Sequence, residues 1–516
     1  MNDVARWWSI DDSFADQVLA DIGRFFTVAP NGRETLSAHC LETFDWRLLG
    51  EGLVLLESFR PRRLNLSRVV DRSAAAGLHL GGNTKMNFQQ DDLPAGELRE
   101  WLQEVCGARA LLRSGRFRET RERFNLLNRD GKTVCRIALE KASAKDYSST
   151  GFRLAPLKGY ESEAARVAAL LAEAGCRAGE SWEHPASLAF ASAGREPFDY
   201  SSKSDLKLPP GITAADACRR VHLASLDIAE RNLPGVIADL DTEFLHDFRV
   251  ALRRSRSALQ LVKGVFPSSV EKEFLRELMK IQKATNHLRD LDVHLIERDA
   301  LEALLPPELQ NGMNGLFRQI SKERARAFVK CREFLERPST RDTLARWRNF
   351  LEEETTRAGS LASKPAIKLG KRLLRKRFDR ILRDGRAIRK ASPDKALHTL
   401  RLQFKKLRYL LEFFGSLLPP GDTAFLVRRF RKLQTILGRF NDLATQEDWA
   451  RRRLDVAEGR KGTPAGLAAS LGGLLSELAR ARRAERAKFA KAFAGLDSPA
   501  VRKRADILFS GKDRQT

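Results

Sequence analysis

Residues 246–256 read His-Asp-Phe-Arg-Val-Ala-Leu-Arg-Arg-Ser-Arg, and the chain carries a second version of this stretch. Residues 398–408 read His-Thr-Leu-Arg-Leu-Gln-Phe-Lys-Lys-Leu-Arg, so in both stretches cations follow the histidine at the third, seventh, eighth and tenth positions. The offset of 152 residues persists as far as Asp290 and Asp442. An ungapped match over about 75 residues predicts an internal duplication.

Both stretches have the spacing of a helix with an apolar stripe beside a basic one. Each residue turns a helix by about 100°, so the third, seventh and tenth positions lie within about 80° of the histidine. Apolar residues such as Phe248 and Phe404 form the adjoining stripe. A solvated basic face would lie opposite the apolar one, whereas this one flanks the core, where helices meet in a groove. Like charges at this spacing repel by roughly 0.2–0.5 kcal/mol per pair, so the pattern favours a polyanionic partner.

The candidate binding residues are the histidines and cations of both stretches, with basic residues that precede them. Segment 368–390, just before the second stretch, has eleven Lys or Arg against two Asp. The planar arginine fork suits phosphate oxygens, and a polyanion would favour the protonated imidazole. The predicted polyanion site is His246, Arg249, Arg253, Arg254, Arg256, His398, Arg401, Lys405, Lys406, Arg408, Arg219, Arg220, Lys371, Arg372 and Arg375.

Each candidate has a structural alternative. A histidine on a helix is commonly structural or exposed, and the arginines could form a solvated basic face. Asp290 and Asp442 could bind a metal ion, although orienting a basic partner in the next helix is the favoured role. His287 and His294 flank Asp290, but no second cluster completes a metal site. We therefore expect neither a metal site nor a cofactor.

The two His-x-x-Arg-x-x-x-(Arg/Lys)-(Arg/Lys) stretches, each followed 44 residues after its histidine by an aspartate, resemble the CHAD family, the conserved-histidine α-helical domain. The aspartates lie in Leu-Arg-Asp-Leu-Asp (288–292) and Phe-Asn-Asp-Leu (440–443). The resemblance covers residues 212–510. It implies an all-α duplicated domain of two four-helix bundles with pseudo-two-fold symmetry, its repeats at 212–340 and 341–510. It also implies a basic groove that binds inorganic polyphosphate.

Residues 1–176 mix strand-like and helical patterns, which predicts an α+β domain. Asn128-Arg129-Asp130-Gly131 is typical of a hairpin turn. Residues 161–175 have the pattern of an amphipathic helix that ends at a glycine. Residues 177–211, punctuated by Gly, Pro and Ser, predict a linker.

The order of these N-terminal pieces is similar to the CYTH family, which has the triphosphate-tunnel fold. Residues 42–49 lie where that family has an Asp-Thr-Pro-Asp segment. Residues 117–124 with the hairpin that follows resemble the strands that carry tunnel arginines, and 157–161 resemble the Lys-Gly strand end. The resemblance implies a tunnel or barrel in which Arg121, Arg123 and Lys158 could contact phosphate.

The catalytic acids of the CYTH pattern are missing. No Glu-x-Glu-x-Lys triplet occurs in the first hundred residues, and the strand before Lys158 has Leu154 and Pro156 where alternating acids are expected. Mg²⁺ prefers carboxylate oxygens, and metal-assisted attack on a triphosphate requires the ions. We therefore expect a degenerate domain without catalytic activity.

Composition agrees with a polyanion-binding protein. The 516-residue chain has a formal net charge of +25, which favours polyphosphate, nucleic acid or an anionic surface as partner. Its six cysteines include no Cys-x-x-Cys pair, as suits a reducing cytoplasm. It has neither a signal-peptide pattern nor an apolar run of the roughly 20 residues that a membrane span needs. We expect a soluble cytoplasmic protein with no membrane partner.

The sequence therefore predicts a non-enzymatic protein that binds inorganic polyphosphate and is targeted to polyphosphate granules. Nucleic-acid binding is one alternative, but aromatic residues make up only 8% of the chain and none is interleaved with the basic stripes, so bases have little to stack on. The other alternative is an active metal-dependent inorganic triphosphatase in the N-terminal domain.

Overall fold

The computed structural model describes residues 7–59, 62–69, 74–79, 88–179, 185–203, 206–353, 358–458 and 465–510. The chain divides into two compact units, Met1–Ser201 and Ser202–Thr516. The first unit is built on an antiparallel sheet, and the second is helical.

Within the described residues, the first unit combines a nine-stranded antiparallel sheet with short helices. In chain order its elements are β1 (Trp7–Ile10), α1 (Ala15–Gly23), β2 (Thr27–Glu42), α2 (Arg47–Gly50), β3 (Leu53–Phe59), β4 (Arg62–Arg68), β5 (Ala74–His79), α3 (Glu97–Cys106), β6 (Leu112–Leu127), β7 (Thr133–Ala144), β8 (Tyr147–Pro156), α4 (Glu161–Glu173), β9 (Arg177–Gly179) and α5 (Pro185–Ser192). The strand order is β5-β4-β3-β2-β6-β7-β8-β1-β9. This sheet is consistent with the CYTH resemblance.

The predicted hairpin turn joins β6 to β7. The Asn128 side-chain oxygen accepts the backbone N–H groups of Asp130 and Lys132, both at 3.0 Å. Gly131 has a φ of 74°, a conformation that glycine adopts without a steric penalty. Alternate residues of the strands, such as Ile137 on β7, pack against α1 and α4 in one buried cluster. The turn prediction and the amphipathic-helix prediction for 161–175 are therefore confirmed.

Part of the predicted linker, 177–211, belongs to the first unit instead. β9 pairs with β1, with Gly179 opposite Trp7. Ala189 and Phe190 of α5 are buried in the same cluster as Phe117 of β6. The loop-like composition concealed this because only a few apolar side chains are needed to hold a short helix on a sheet. The boundary between the compact units falls after Ser201 rather than after residue 176.

The second unit consists of helices joined by short connections. They are α6 (Ala214–Ile237), α7 (Thr242–Leu261), α8 (Ser268–Ala284), α9 (Asn286–Ile296), α10 (Arg298–Glu302), α11 (Pro307–Gln310), α12 (Asn314–Leu335), α13 (Pro338–Glu352), α14 (Ala366–Arg386), α15 (Asp394–Phe414), α16 (Pro420–Glu458), α17 (Ala465–Leu496) and α18 (Pro499–Phe509). Helices α6, α7 and α8 begin 152 residues before α14, α15 and α16 respectively. The internal duplication and its two symmetric four-helix bundles stay predictions.

Local chemistry fixes the start and the packing of α7, which carries the first histidine. Asp241 accepts the backbone N–H groups of Glu243 and Phe244 at 2.8 and 3.1 Å and so caps the helix. Phe244 packs directly on Gly235 of α6, where an added Cβ would lie 2.3 Å from the ring. Because only glycine permits this approach, α6 and α7 lie close together. Within the described ranges, no helix combines the length and apolarity needed to cross a membrane.

Candidate functional site

The two histidine-bearing helices, α7 and α15, pack against each other, and their basic stripes meet. Burial lowers the pKa of both Arg401 and Lys405 on α15, and the charge of Arg253 on α7 lowers both further. The contact between the stripes therefore places cations from the two stretches within electrostatic reach of each other.

Six of the predicted cations form one group of mutually interacting charges, here called the central cluster. After burial, the charge of Arg253 is the next largest cause lowering the pKa of Arg249 and of Arg256. Arg408 likewise lowers the pKa of Lys405. The central cluster is Arg249, Arg253, Arg256, Arg401, Lys405 and Arg408.

Lys405 shows the effect of this crowding most directly. Its side chain is half-buried, and burial followed by the charges of Arg401, Arg253 and Arg408 lowers its pKa to about 8. The Lys405 ammonium therefore begins to lose its proton only slightly above neutral pH. An anion bound at this point would favour the charged form.

Arg249 has its donors engaged within the protein. It is 8% exposed, and its guanidinium donates to the Gln282 carbonyl at 3.0 Å and to the side chains of Thr285 and Asn286 at 2.5 and 2.8 Å. Burial lowers the Arg249 pKa to about 10, so it remains charged at neutral pH. Arg249 therefore anchors α7 to the junction of α8 and α9 while adding its charge to the central cluster.

Arg253 and Arg256 have unused hydrogen-bonding capacity. In each, Nε is buried and lacks a hydrogen-bond partner among the described residues. A buried polar group without a partner costs free energy, so a ligand with acceptor oxygens would be favoured here.

The residue immediately before each motif aspartate contacts the histidine of the corresponding stretch. His246 Nδ1 lies 3.0 Å from an Arg289 guanidinium nitrogen, and His398 Nδ1 lies 2.6 Å from Asn441 Oδ1. A guanidinium can only donate, so His246 Nδ1 accepts and its proton lies on Nε2. The sequence identified the aspartates at 290 and 442 but overlooked the residue immediately before each. The 152-residue offset itself could have pointed to Arg289 and Asn441.

The motif aspartates interact with the arginines of the histidine helices. Asp442 Oδ1 accepts from Arg401 at 3.3 Å, and the charge of Asp290 raises the pKa of Arg249, which burial lowers. Asp442 therefore has a basic partner, as predicted, but that partner lies on the preceding histidine helix rather than on the next helix.

The neighbouring histidines have other partners. His287 lies 3.3 Å from Glu323, and the His294 ring stacks on Trp449 with centroids 4.5 Å apart. No three or more His, Cys, Asp or Glu residues in the described ranges gather as a metal site would require.

Two predicted cations of the stretches point away from the central cluster. Arg254 donates to the Ser202 carbonyl at 2.7 Å and pairs with Glu412 of α15 at 3.5 Å. Lys406 faces α14, where burial and then the charges of Arg377 and Arg380 lower its pKa. These two arginines lie in the predicted basic segment but were not among the predicted site residues.

The predicted cations of α6 and α14 are not gathered into the central cluster. Arg375 pairs with Asp379 and with Asp506 of α18, and Arg219 pairs with Asp216 at 3.1 Å. Arg220 and Arg372 are exposed, and Lys371 is half-buried. A helix face seen in sequence does not reveal which neighbouring acid will take up each arginine.

The arginines that resemble tunnel residues in the first unit are paired with acids. Arg121 contacts Glu34 at 3.0 Å and Glu140 at 2.8 Å. Arg123 contacts Glu34 at 2.6 Å. Lys158 is exposed. The charge that would attract phosphate to Arg121 and Arg123 is therefore largely neutralised.

Comparison with known proteins identifies a domain within the second unit. No curated protein matches the sequence. The CHAD domain from the plant Ricinus communis is similar in structure, with 21% identity and a TM-score of 0.43 over 59% of this chain and 96% of that one. PptA from Streptomyces chartreusis has 17% identity and a TM-score of 0.45 over 55% of this chain and 99% of that one. The CHAD domain family model matches residues 221–451, so this part of the chain is a CHAD domain.

Proposed function

We propose that the central cluster binds inorganic polyphosphate in a basic groove lined by α7 and α15. The observation that carries the proposal is the position of Arg253, whose charge acts on Arg401 and Lys405 of the other histidine helix. Cations held this close repel one another. A linear polyanion that contacts both helices would reduce this repulsion at each cation that it passes.

The donors of the cluster suit phosphate. The buried Nε groups of Arg253 and Arg256 lack partners among the described residues, and guanidinium groups bind phosphate oxygens in a planar, two-pronged geometry. The CHAD domain match at 221–451 supports the same substrate class, since the resemblance of the two histidine stretches implies polyphosphate.

Nucleic-acid binding is less well supported. Single-stranded nucleic acids gain much of their affinity by stacking bases on exposed aromatic side chains. Tyr409, the aromatic residue that interacts with Arg256, is only 4% exposed and so offers no such platform. The central cluster is better suited to a ligand that is recognised through its phosphate groups alone.

A competition experiment tests the substrate class. Labelled long-chain polyphosphate is bound to the full-length protein and displaced by unlabelled polyphosphate, single-stranded or double-stranded nucleic acid at matched phosphate and salt concentration. We expect polyphosphate to displace the label at far lower phosphate concentration. Displacement by nucleic acid at equal or lower concentration would overturn the proposal.

We also propose that the protein is not an enzyme. The acid triplet of the CYTH pattern is missing, and the ion pairs of Arg121 and Arg123 with glutamates support this. With tripolyphosphate and Mg²⁺ or Mn²⁺, we expect phosphate release no faster than in buffer. Metal-dependent turnover that Lys158→Ala abolishes would instead establish a triphosphatase.

A binding protein of this kind would gather where polyphosphate accumulates. A fluorescent fusion is expected to co-localise with polyphosphate granules and to disperse when Arg253 and Lys405 are both replaced by Ala. A fusion that stays dispersed in granule-containing cells would contradict granule targeting, and would leave the binding proposal to the competition experiment.

A further inference from the structure

A cavity of about 650 Å³ lies beside the central cluster, against α7 and α8. Arg256 of the central cluster forms part of its wall, and Gln282, Lys283 and Asn286 contribute from α8 and the start of α9. The cavity is therefore continuous with the proposed polyphosphate site through Arg256.

Two buried polar atoms in this wall lack partners. Gln282 is 7% exposed, and its Oε1 has no hydrogen-bond partner among the described residues. The Nε of Arg256 is likewise buried and has no hydrogen-bond partner among the described residues. One atom needs a donor and the other an acceptor, so the ligand that fits must present both.

The rim of the cavity is basic. Arg276 and Lys280 line it and share Glu277, at 3.2 and 2.9 Å. Lys272 and Lys283 also line it, are exposed, and have no ion pair among the described residues. The rim therefore favours an anion, and the Gln282 oxygen favours one that also carries a hydrogen-bond donor.

The cavity at the corresponding position beside α15 and α16 differs in the surroundings of its glutamine. It has a volume of about 700 Å³ and is lined by Arg408, Glu412, Gln434 and Thr435 among others. There Gln434 Nε2 donates to the Phe404 carbonyl at 3.4 Å, and Glu412 pairs with Arg408 at 3.2 Å. Thr435 occupies the position of Lys283. Gln434 is only half-buried, so the buried amide oxygen without a partner among the described residues distinguishes the first cavity, whereas exposed rim cations are common to both, Arg431 lining the second.

We propose that the α7–α8 cavity binds the terminal phosphate group of a polyphosphate chain, an inference that rests on the proposed function. An internal phosphate group carries one charge and no proton at neutral pH. A terminal group ionises a second time, near pH 6 for a phosphate monoester, so it carries either a second charge or an O–H donor. Its O–H would donate to Gln282 Oε1, while its remaining oxygens accept from Arg256 and Lys283.

The test compares polyphosphate with free ends and polyphosphate of equal length whose two ends are capped with a dialkylamine, which removes the terminal O–H without adding an N–H. For short chains we expect the free-ended form to bind the full-length protein roughly tenfold more tightly, a difference of about 1.4 kcal/mol. Gln282→Met should remove most of this preference, and Lys283→Ala should reduce it. Gln282 makes no side-chain hydrogen bond within the part of the chain that the structure describes, so helicity measured by circular dichroism should be unchanged.

Gln434→Met is the matched control at the same position of the second repeat, and it should keep the preference for free ends. Equal binding of capped and free-ended chains by the unmodified protein would overturn the inference and leave the proposed function intact. Retention of the full preference by Gln282→Met and Lys283→Ala would also overturn it. Failure of the unmodified protein to bind either form would overturn the proposed function itself.

Discussion

Arg253 of α7 and Lys405 of α15 lie close enough for the arginine charge to lower the pKa of the lysine ammonium. They come from different helices, one from each histidine stretch, so their proximity is a consequence of the fold. Burial and the neighbouring arginines act in the same direction and bring the Lys405 pKa to about 8. In the free protein the cations of the central cluster therefore repel one another, and a bound anion would reduce this repulsion.

The lowered pKa of Lys405 predicts that polyphosphate binding weakens at alkaline pH. A bound polyanion favours the ammonium, so the complex holds more protons than the free protein above about pH 8. Binding then takes up protons, and affinity falls as pH rises through that value, by up to about tenfold per pH unit. Isothermal titration between pH 7 and pH 9.5 measures this.

Lys405→Arg is the control for this pH effect. An arginine keeps its proton throughout the range, so we expect the variant to bind with nearly constant affinity across the same range. A wild-type affinity that does not change between pH 7 and pH 9.5 would contradict the assignment of Lys405 to the binding surface.

Arg249 is expected to matter for stability more than for binding. Arg249→Met removes hydrogen bonds to the Gln282 carbonyl and to Thr285 and should cost about 2–4 kcal/mol in the free energy of unfolding. Arg253→Ala, which breaks no side-chain hydrogen bond among the described residues, should cost about 0.5 kcal/mol or less. Urea unfolding followed by the helical circular dichroism signal compares the two. Equal losses would show that Arg249 is not an anchor.

The helical period was sufficient to predict the helices of the site and their basic stripes, whereas a shared groove between the stripes was implied only by the resemblance to the CHAD family. The 152-residue offset and the helical period together fixed which residues share a face, so the Arg253–Lys405 relationship followed once α7 and α15 packed. The sequence pattern could not predict which residue pairs with each arginine. Arg249 is buried and hydrogen-bonded to Thr285, and Arg375 is paired with Asp506. These partners lie on other helices, and the sequence pattern does not say which helices are neighbours in space.

The boundary of the first unit shows the same limit. Composition assigned residues 177–211 to a linker, but β9 adds to the sheet by backbone pairing with β1, which places few requirements on the side chains. Sequence patterns reveal side-chain periodicity better than they reveal the edge of a sheet.

The two histidines are expected to carry their neutral-form protons on different ring nitrogens. His246 Nδ1 accepts from Arg289, so Nε2 is protonated. The Thr445 hydroxyl donates to the Asn441 carbonyl and so accepts from Asn441 Nδ2, which turns Oδ1 toward His398. His398 Nδ1 must therefore donate. Long-range ¹⁵N–¹H correlation spectra at alkaline pH distinguish the two tautomers, and identical patterns would contradict the predicted pairing.

The salt dependence of binding tests whether one polyphosphate chain crosses both histidine helices. Counterion release makes log affinity fall linearly with log salt concentration, with a slope near the number of phosphates neutralised. That relation was established for nucleic acids, and it extends to polyphosphate because the spacing of charges along the chain is similarly close. Arg253→Ala or Lys405→Ala should each reduce the slope by roughly one unit while helicity is retained.

The double variant Arg253→Ala with Lys405→Ala gives the decisive comparison. If one chain contacts both helices, the slope should fall by roughly two units, whereas the two losses of binding free energy need not add, because the two charges interact. Chains too short to reach both residues should respond to only one of the substitutions. Lys395→Ala, an exposed cation at the start of α15, is a control for the loss of general positive charge and should leave the slope nearly unchanged. Parental slopes and affinities in both single variants and the double variant would move the site to the basic segment 368–390, because the central cluster could then not be the surface that neutralises the phosphates.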